Sequence, residues 1–418
     1  MAGPSARAGR PVIVDRCGPR KDNRSAGPRR RTGEHASQLG LASIFPVVSS
    51  FFCVKYIFSG LLGLLLAGPA QAQVAAPAFP ADTAKLTVYG YLDGYYGFDF
   101  PHPSSTQRPE FFYSHNRQDE FAVNQALIGL RYDNGQVHGA VGLEAGTYPE
   151  ANYAAEPVLL RNIYEAYVGF RPFKKAWFDI GVFGSHIGYE SAISKDNWTV
   201  THSLAAEGSP YYEAGAKLSY EISPKVTVTG LVLNGWQNIR DNNRAKSLGT
   251  QVQWRPSAKW LVNSSAFYGN EQPQDSIRRR RYFHDLYVTY TPNARVSVLA
   301  LFDIGWQERA RPNLPDTPWH TAQLVLRYHL NPRWTMALRG EYYYAQYGVV
   351  VRYLAPTSAQ RDFFVRGASL NFDYAPSAHV LVRLEGKFLN SKNARFPTET
   401  SSPSTNYGNL TSTVALSF

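Results

Sequence analysis

Cysteine is almost absent from this chain: Cys17 and Cys53 are the only two in 418 residues. That excludes a disulfide scaffold or a thiolate metal centre from everything after position 53, and it suits a polypeptide that crosses an oxidising compartment unfolded. Charge is also sparse, at 18% of residues, which excludes long solvent-exposed helices laced by ion pairs. The greasiest stretch, Ile57 to Ala67, is too short to cross a bilayer as a helix and is ended by Pro69. No P-loop, dinucleotide fingerprint, His-Glu-x-x-His or paired Cys-x-x-Cys occurs, and the histidines are scattered singly, so no cofactor and no metal are expected. Of the formal charge of +11, seven net positives lie before Gln73. The remainder is too dilute for a basic patch, and nucleic acid is not an expected partner.

What is abundant is aromatic residues, at 14%, together with glycine and proline, a composition of strands and turns. The chain reads as all-β. Residues 54–72 read as a secretory signal, with Lys55 as its positive end and Ala70-Gln71-Ala72 as a small-x-small site, so cleavage is expected after Ala72. Residues 1–53, rich in Arg, Gly, Pro and Ala without period, read as disordered. Val54-Lys55-Tyr56 would open a leader of normal proportions if translation began at Val54. Residues 73–84 then form a short periplasmic segment ahead of a body spanning 85–418.

That body alternates with period two, the mark of strands with two unlike faces. Leu410, Ser412, Val414, Leu416 and Phe418 alternate with Thr411, Thr413, Ala415 and Ser417, and Val380, Val382, Leu384, Gly386 and Phe388 with Leu381, Arg383, Glu385 and Lys387. One strand cannot say whether the apolar face meets a core or lipid, but the connections can. Tight turns at 133–135, 171–174, 223–225, 255–258, 291–293, 331–333 and 375–377 carry Pro or Asn-Gly, each with a mechanism as a hairpin end. Between them lie long polar connections, so short and long loops alternate along the whole chain. A transmembrane antiparallel up-and-down β-barrel of an outer membrane has this asymmetry, with short periplasmic turns and long extracellular loops, whereas a sandwich does not require it. Seven turns and eight loops give about sixteen strands, or fourteen or eighteen if a hairpin is miscounted. Trp177, Trp254, Trp260, Trp334, Tyr342, Tyr344 and Tyr374 near strand ends fit an aromatic girdle at the lipid boundary. The strand containing Val226, Val228, Leu231 and Leu233 does not alternate cleanly, which fits a bulge or a protein-covered face, and Arg366 falls on the outward register.

Three segments carry a resemblance: Gly90-Tyr91-Leu92-Asp93-Gly94-Tyr95-Tyr96, Gly181 through Glu190, and Leu233-Asn234-Gly235-Trp236. They resemble the OmpL-like β-barrel porin family over most of 86–418. The resemblance implies an outer-membrane channel, and Phe418, ending an alternating strand, looks like the C-terminal signal read by barrel-assembly machinery.

Loop 185–210, the longest, joins the fifth and sixth strands, and by analogy with sixteen-stranded porins it is the constriction candidate. It carries His186, Glu190, Lys195 and Asp196; the far wall would supply Arg327, Arg339, Arg383 and Glu385. Opposed charges across a narrow opening select ions by sign. The expected function is passive diffusion of small hydrophilic solutes or ions, with outer-membrane lipid around a barrel that could form a homo-oligomer. A plugged structural or adhesive barrel is the second reading, a soluble secreted β-protein the third. An outer-membrane hydrolase would need a Ser or Asp beside a His; Ser185-His186 and His284-Asp285 are neighbours, but adjacent strand residues point to opposite faces, so neither pair is expected to form a site. Intact-mass analysis of unprocessed and mature protein should give chains beginning at residue 54 and at Gln73; a mass including any residue before Val54 overturns the internal start.

Overall fold

The computed structural model describes residues 84–311, 313–351, 361–400 and 402–418. The extension, leader and cleavage site expected before residue 84 lie outside the described residues. Sixteen strands follow in order: β1 (Lys85–Asp99), β2 (Phe121–Asp133), β3 (Val137–Ala145), β4 (Ile163–Phe170), β5 (Ala176–Gly184), β6 (Tyr212–Ser223), β7 (Val226–Leu233), β8 (Ser247–Trp254), β9 (Trp260–Asn270), β10 (Arg280–Tyr290), β11 (Val296–Gln307), β12 (Thr317–His329), β13 (Trp334–Ala345), β14 (Phe363–Tyr374), β15 (Val380–Ser391) and β16 (Asn406–Ser417). Each pairs antiparallel with its sequence neighbours, and β1 pairs with β16 to close the barrel. The strand count and the alternation of short and long connections are those expected.

Three of the tight turns share a device. Asn134 Oδ1 accepts from the backbone N–H groups of Gln136 and Val137, Asn293 Oδ1 from Arg295 and Val296, and Asn331 Oδ1 from Arg333 and Trp334. A short side chain thus satisfies amides that the hairpin end would leave bare. Gly135 takes φ +80, a left-handed conformation that a Cβ would strain.

Apolar side chains point out. Ile128, Leu324 and Val414 are each more than half exposed, while their sequence neighbours Leu127, Val325 and Ala415 are buried inside. This is the inverse of a soluble core, and it places the outer face in hydrocarbon. At the turn end Trp260 stacks on Tyr290 (ring centroids 4.0 Å) and Trp334 on Tyr374 (4.7 Å), as a girdle requires. Trp177 departs from the expected set: it lies parallel to His138 at 3.9 Å with the Arg171 guanidinium over it, both rings on the inward register of their strands. Arg366 is outward and exposed, donating to Asn390 Oδ1 at 3.3 Å near the loop end of β14.

Two irregularities have physical causes. The register between β1 and β2 slips at Asp93/Gly94, so Asn124 and Gln125, neighbours in sequence, are both buried inward. In β7, Leu231 and Leu233 point inward and are buried against Ile187 and Trp236, so the broken alternation marks a protein-covered face.

The closing ladder, Tyr91 to Asp99 against Ser417 to Asn409, is extended by the last residue. Gly90 and Phe418 exchange backbone hydrogen bonds (3.0 and 3.1 Å), and a Cβ on Gly90 would sit 2.3 Å from the Phe418 ring. Gly90→Leu should therefore displace that ring and lower unfolding stability by less than overpacking in a core would, because the Phe418 ring is exposed and can turn aside. Adding Phe418→Ala should cost less in the Gly90→Leu background than in wild type; additive losses in denaturant unfolding would show that the two do not share one seam.

Candidate functional site

The lumen is crossed by the connection between β5 and β6, which turns inward and docks on the far wall. Its first residue beyond the strand, Ser185, is still tied to the near wall, its hydroxyl donating to Glu213 (3.2 Å). His186 follows: Nδ1 faces both Glu213 carboxylate oxygens at 2.9 Å, Nε2 faces the Ala266 carbonyl at 3.0 Å, and its own carbonyl accepts from Gln251 and Ser265. Gly249 makes room, because a Cβ there would lie 2.8 Å from the imidazole. The loop then reaches β13–β15. The Arg339 guanidinium donates to Thr199 Oγ1 (2.7 Å), the Thr201 carbonyl (2.8 Å) and Glu385 (2.9 Å). Arg383 donates to the carbonyls of Ser194 (2.6 Å) and Asn197 (3.0 Å) and pairs with Asp373, and the Lys387 ammonium donates to the His202 carbonyl (3.0 Å). In return Glu385 accepts from the Thr201 N–H and Glu341 from the Leu204 N–H, both at 2.6 Å.

Loop carbonyls and amides, which inside a barrel would be unsatisfied, are thus paired by wall charges. These wall charges also neutralise one another: Arg339 with Glu385, Lys387 with Glu341 at 3.1 Å. Seven residues of the expected constriction lie on or beside this dock, and His186 is its hinge on the opposite wall. The sequence reading set the loop and the basic wall facing one another across a gap; in the structure Arg339, Arg383 and Glu385 touch the loop or its partners and are buried. Arg327 lies 5.8 Å from the Trp198 ring centre. Glu190 accepts from the Ser203 N–H (2.9 Å), and Lys195 pairs with its neighbour Asp196 (3.0 Å) at a partly exposed tip.

The first long loop, expected as a polar connection, has buried residues that the sequence did not single out. Arg108 is fully buried and donates to Asp99, the His115 carbonyl and Thr411, each at 2.9 Å. His115 faces Asp93 at 2.9 Å, and Tyr407 donates to Asp99. This loop meets the lumen loop at Glu207, whose carboxylate accepts from the Tyr113 (3.0 Å) and Ser114 (3.4 Å) N–H groups. Nothing in the residue pattern around Arg108 distinguishes it from an ordinary exposed loop cation.

Aromatic residues fill the space between. Tyr148, Tyr153, Tyr211 and Tyr212 are buried together, with Tyr113 and Tyr164 packed against them and His202 stacked on Tyr211. On the mouth side of this cluster is a cavity of about 550 Å³ lined by Glu110, Tyr113, Arg117, Glu120, Thr147 and Glu150; on its inner side is one of about 340 Å³ reached by Arg131, Tyr153, Glu165, Glu190 and Tyr211. Burial raises the Glu190 carboxyl and pushes the Glu207 carboxyl up to about 8, and it lowers the His202 imidazole well below its usual range.

The hydrolase pairs can now be placed. His284 is outward beside Ser264, while Asp285 is inward, as adjacent strand residues must be. Ser185 and His186 do converge on one carboxylate, Glu213, because β5 has already ended at Gly184 and the strand rule no longer applies. The imidazole nitrogen a serine would need is occupied by the Ala266 carbonyl.

Residues 85–418 match the family described as "Putative beta-barrel porin-2, OmpL-like". The chain belongs to that family. No curated protein matches the chain. Among solved structures, this OmpL-like family barrel is similar to OmpT of Vibrio cholerae in a trimer form (11% identity, TM-score 0.53, covering 81% of this chain and 100% of that one). It is similar to an anion-selective porin from Comamonas acidovorans (10%, 0.54, 80% and 100%) and to the outer membrane channel DcaP of Acinetobacter baumannii (13%, 0.56, 80% and 97%). At such identities the likeness establishes the fold. Family and fold together make the chain an integral outer-membrane β-barrel.

The raised Glu207 carboxyl has a signed consequence. A buried acid of this kind adds stability below its unfolded value and loses it as pH rises through about 8. The junction of the two loops should therefore loosen between about pH 4.5 and 8, and Glu207→Gln should remove that part of the pH dependence. Amide exchange at Tyr113 and Ser114 measures it; an identical pH profile in the variant would exclude Glu207 as the cause.

Proposed function

We propose that this barrel is a channel for passive diffusion of small hydrophilic solutes or ions, narrowed by loop 185–210, and that it is not an enzyme. The observation that carries the reading is the two-sided loop. One side is fastened to Arg339, Arg383 and Lys387; the other, from Ser185 to Ala192, borders the inner cavity opposite Arg131, Glu165 and Tyr164 on β2 and β4. The passage on this view lies between the cavity-facing side of the loop and the wall formed by β2 and β4. Glu190, Glu165 and Arg131 line it with both signs of charge, the arrangement that selects ions in a narrow opening. Buried Arg339, Arg383 and Glu385 then hold the loop in place, and Lys195 and Asp196 mark its tip. A leader cleaved after Ala72, recognition of Phe418 by barrel-assembly machinery and assembly as a homo-oligomer complete the proposal; the trimer form of the Vibrio cholerae OmpT structure supports the last by analogy.

The tyrosine cluster between the two cavities favours a second reading, a plugged structural or adhesive barrel. Liposome swelling separates the two: a channel gives rates that fall with solute size, whereas no permeation of any solute leaves only the plug. In planar bilayers Glu190→Gln with Arg131→Ala should shift the reversal potential in a salt gradient, and unchanged selectivity would move the passage elsewhere. Arg339→Leu leaves Glu385 without its cation, a loss on the order of 3–5 kcal/mol, and should raise single-channel conductance by freeing the loop.

A further inference from the structure

The wall at the root of the lumen loop holds two carboxyl groups that belong to no ion pair, with the His186 imidazole as the positive neighbour of Asp285. Asp285 on β10 and Asp303 on β11 are direct partners in the ladder. Both point inward, at 0% and 1% exposure, and their carboxyl groups lie within hydrogen-bond reach of one another. Every ion pair formed among the described residues leaves both out. Asn263 donates to Asp285 Oδ2 at 2.9 Å, but Oδ1 of Asp285, Oδ1 of Asp303 and Oδ1 of Asn263 have no hydrogen-bond partner. Gln323 on β12 is 4% exposed, and neither its amide oxygen nor its nitrogen has a partner.

Two of these groups share a space, with Asp285 behind Asp303 in the ladder. Asp303 and Gln323 line a cavity of about 10 Å³ with Gly188, Tyr189, Glu190 and Ser203 of the loop above, room for about one water-sized body. Two dry carboxylates in contact cannot both stay ionised without a proton or a metal between them. A shared proton answers the repulsion but leaves the Gln323 amide and the remaining oxygens bare. A cation answers both, and a flip of the Asn263 amide would turn its oxygen inward as well.

We propose that Asp285, Asp303 and Gln323, with Asn263, bind a divalent cation of the calcium class. The donors are all oxygen, from two carboxylates and two amides on four successive strands, as a hard cation prefers. No group of three or more His, Cys, Asp or Glu suited to a metal occurs among the described residues, so the amides of Gln323 and Asn263 are needed to complete the donor set. Gly188 passes directly over the site in a left-handed conformation (φ +84), its backbone N–H facing Asp285. Bound metal would clamp the root of the loop to the wall.

The test uses the whole barrel in detergent, stripped with a chelator and titrated with calcium chloride, and it needs no conductance, so it can fail or succeed independently of the channel reading. Calorimetry should give one calcium per chain, and the thermal unfolding midpoint should rise with calcium concentration. Asp303→Asn should abolish both effects, whereas Asp196→Asn, at the exposed loop tip, should retain them. Gln323→Leu should weaken calcium binding at least tenfold without altering charge, which keeps the test decisive if Asp303→Asn does not fold. Absence of calcium binding in wild type, or wild-type affinity in the Gln323→Leu variant, overturns the site.

Discussion

In hydrocarbon every peptide N–H and C=O must find a partner within the protein, because each bare group costs several kcal/mol there. That requirement forbids a free sheet edge, and a chain of sixteen strands meets it only if the first pairs with the last. The seam is made where the chain ends: Phe418 lays its ring over a residue that has no side chain, and the two backbones exchange both hydrogen bonds. Outward apolar and inward polar alternation then follows along each strand, since a closed sheet has only those two faces. The seven short turns follow too, each joining strands that must be neighbours.

The same dry enclosure sets the terms for the lumen loop. Its backbone leaves water when it enters the barrel, and the wall repays that with charged side chains, whose hydrogen bonds are the strong ones. Such a dock is specific rather than simply stabilising. Replacing a buried ionic pair by apolar groups of similar shape is often neutral, whereas removing one member strands the other. Arg339, Glu341, Glu385 and Lys387 are interlocked in this way, so lifting the loop takes a backbone partner from each of the four at once. His186 and Glu213 anchor the other end, where burial pulls the imidazole pKa down and the carboxylate more than offsets it, raising it above its usual value.

Period two and turn chemistry made the barrel legible from residues alone, and all sixteen strands were located within a few residues. The inward register of Arg327, Arg339, Arg383 and Glu385 was legible for the same reason, as was the loop that meets them. What they do there was not. Alternation tells which face a side chain takes but says nothing of whether a loop lies on it, so charges expected across water are in fact in contact with protein. Trp177 shows the same limit: an aromatic near a strand end reads as a girdle residue until its register is known. Ser185 and His186 show the converse, because the rule of opposite faces expires one residue after β5. Arg108 and His115 left no trace in the pattern, since their partners, Asp99 and Asp93, are supplied by a strand whose polar positions look like ordinary lumen residues.

The inner wall is not uniformly polar, and this has a mechanical consequence. Leu231, Leu233, Phe267, Phe283 and Trp319 form an oily panel on β7–β12, covered by Ile187 and Trp236. Were the whole loop to leave, that panel would be wetted, at a free-energy cost proportional to its area. Any excursion of the loop would thereby have to break the charged dock beyond Gly188, while Ile187 stays pressed to the panel like the fixed leaf of a door.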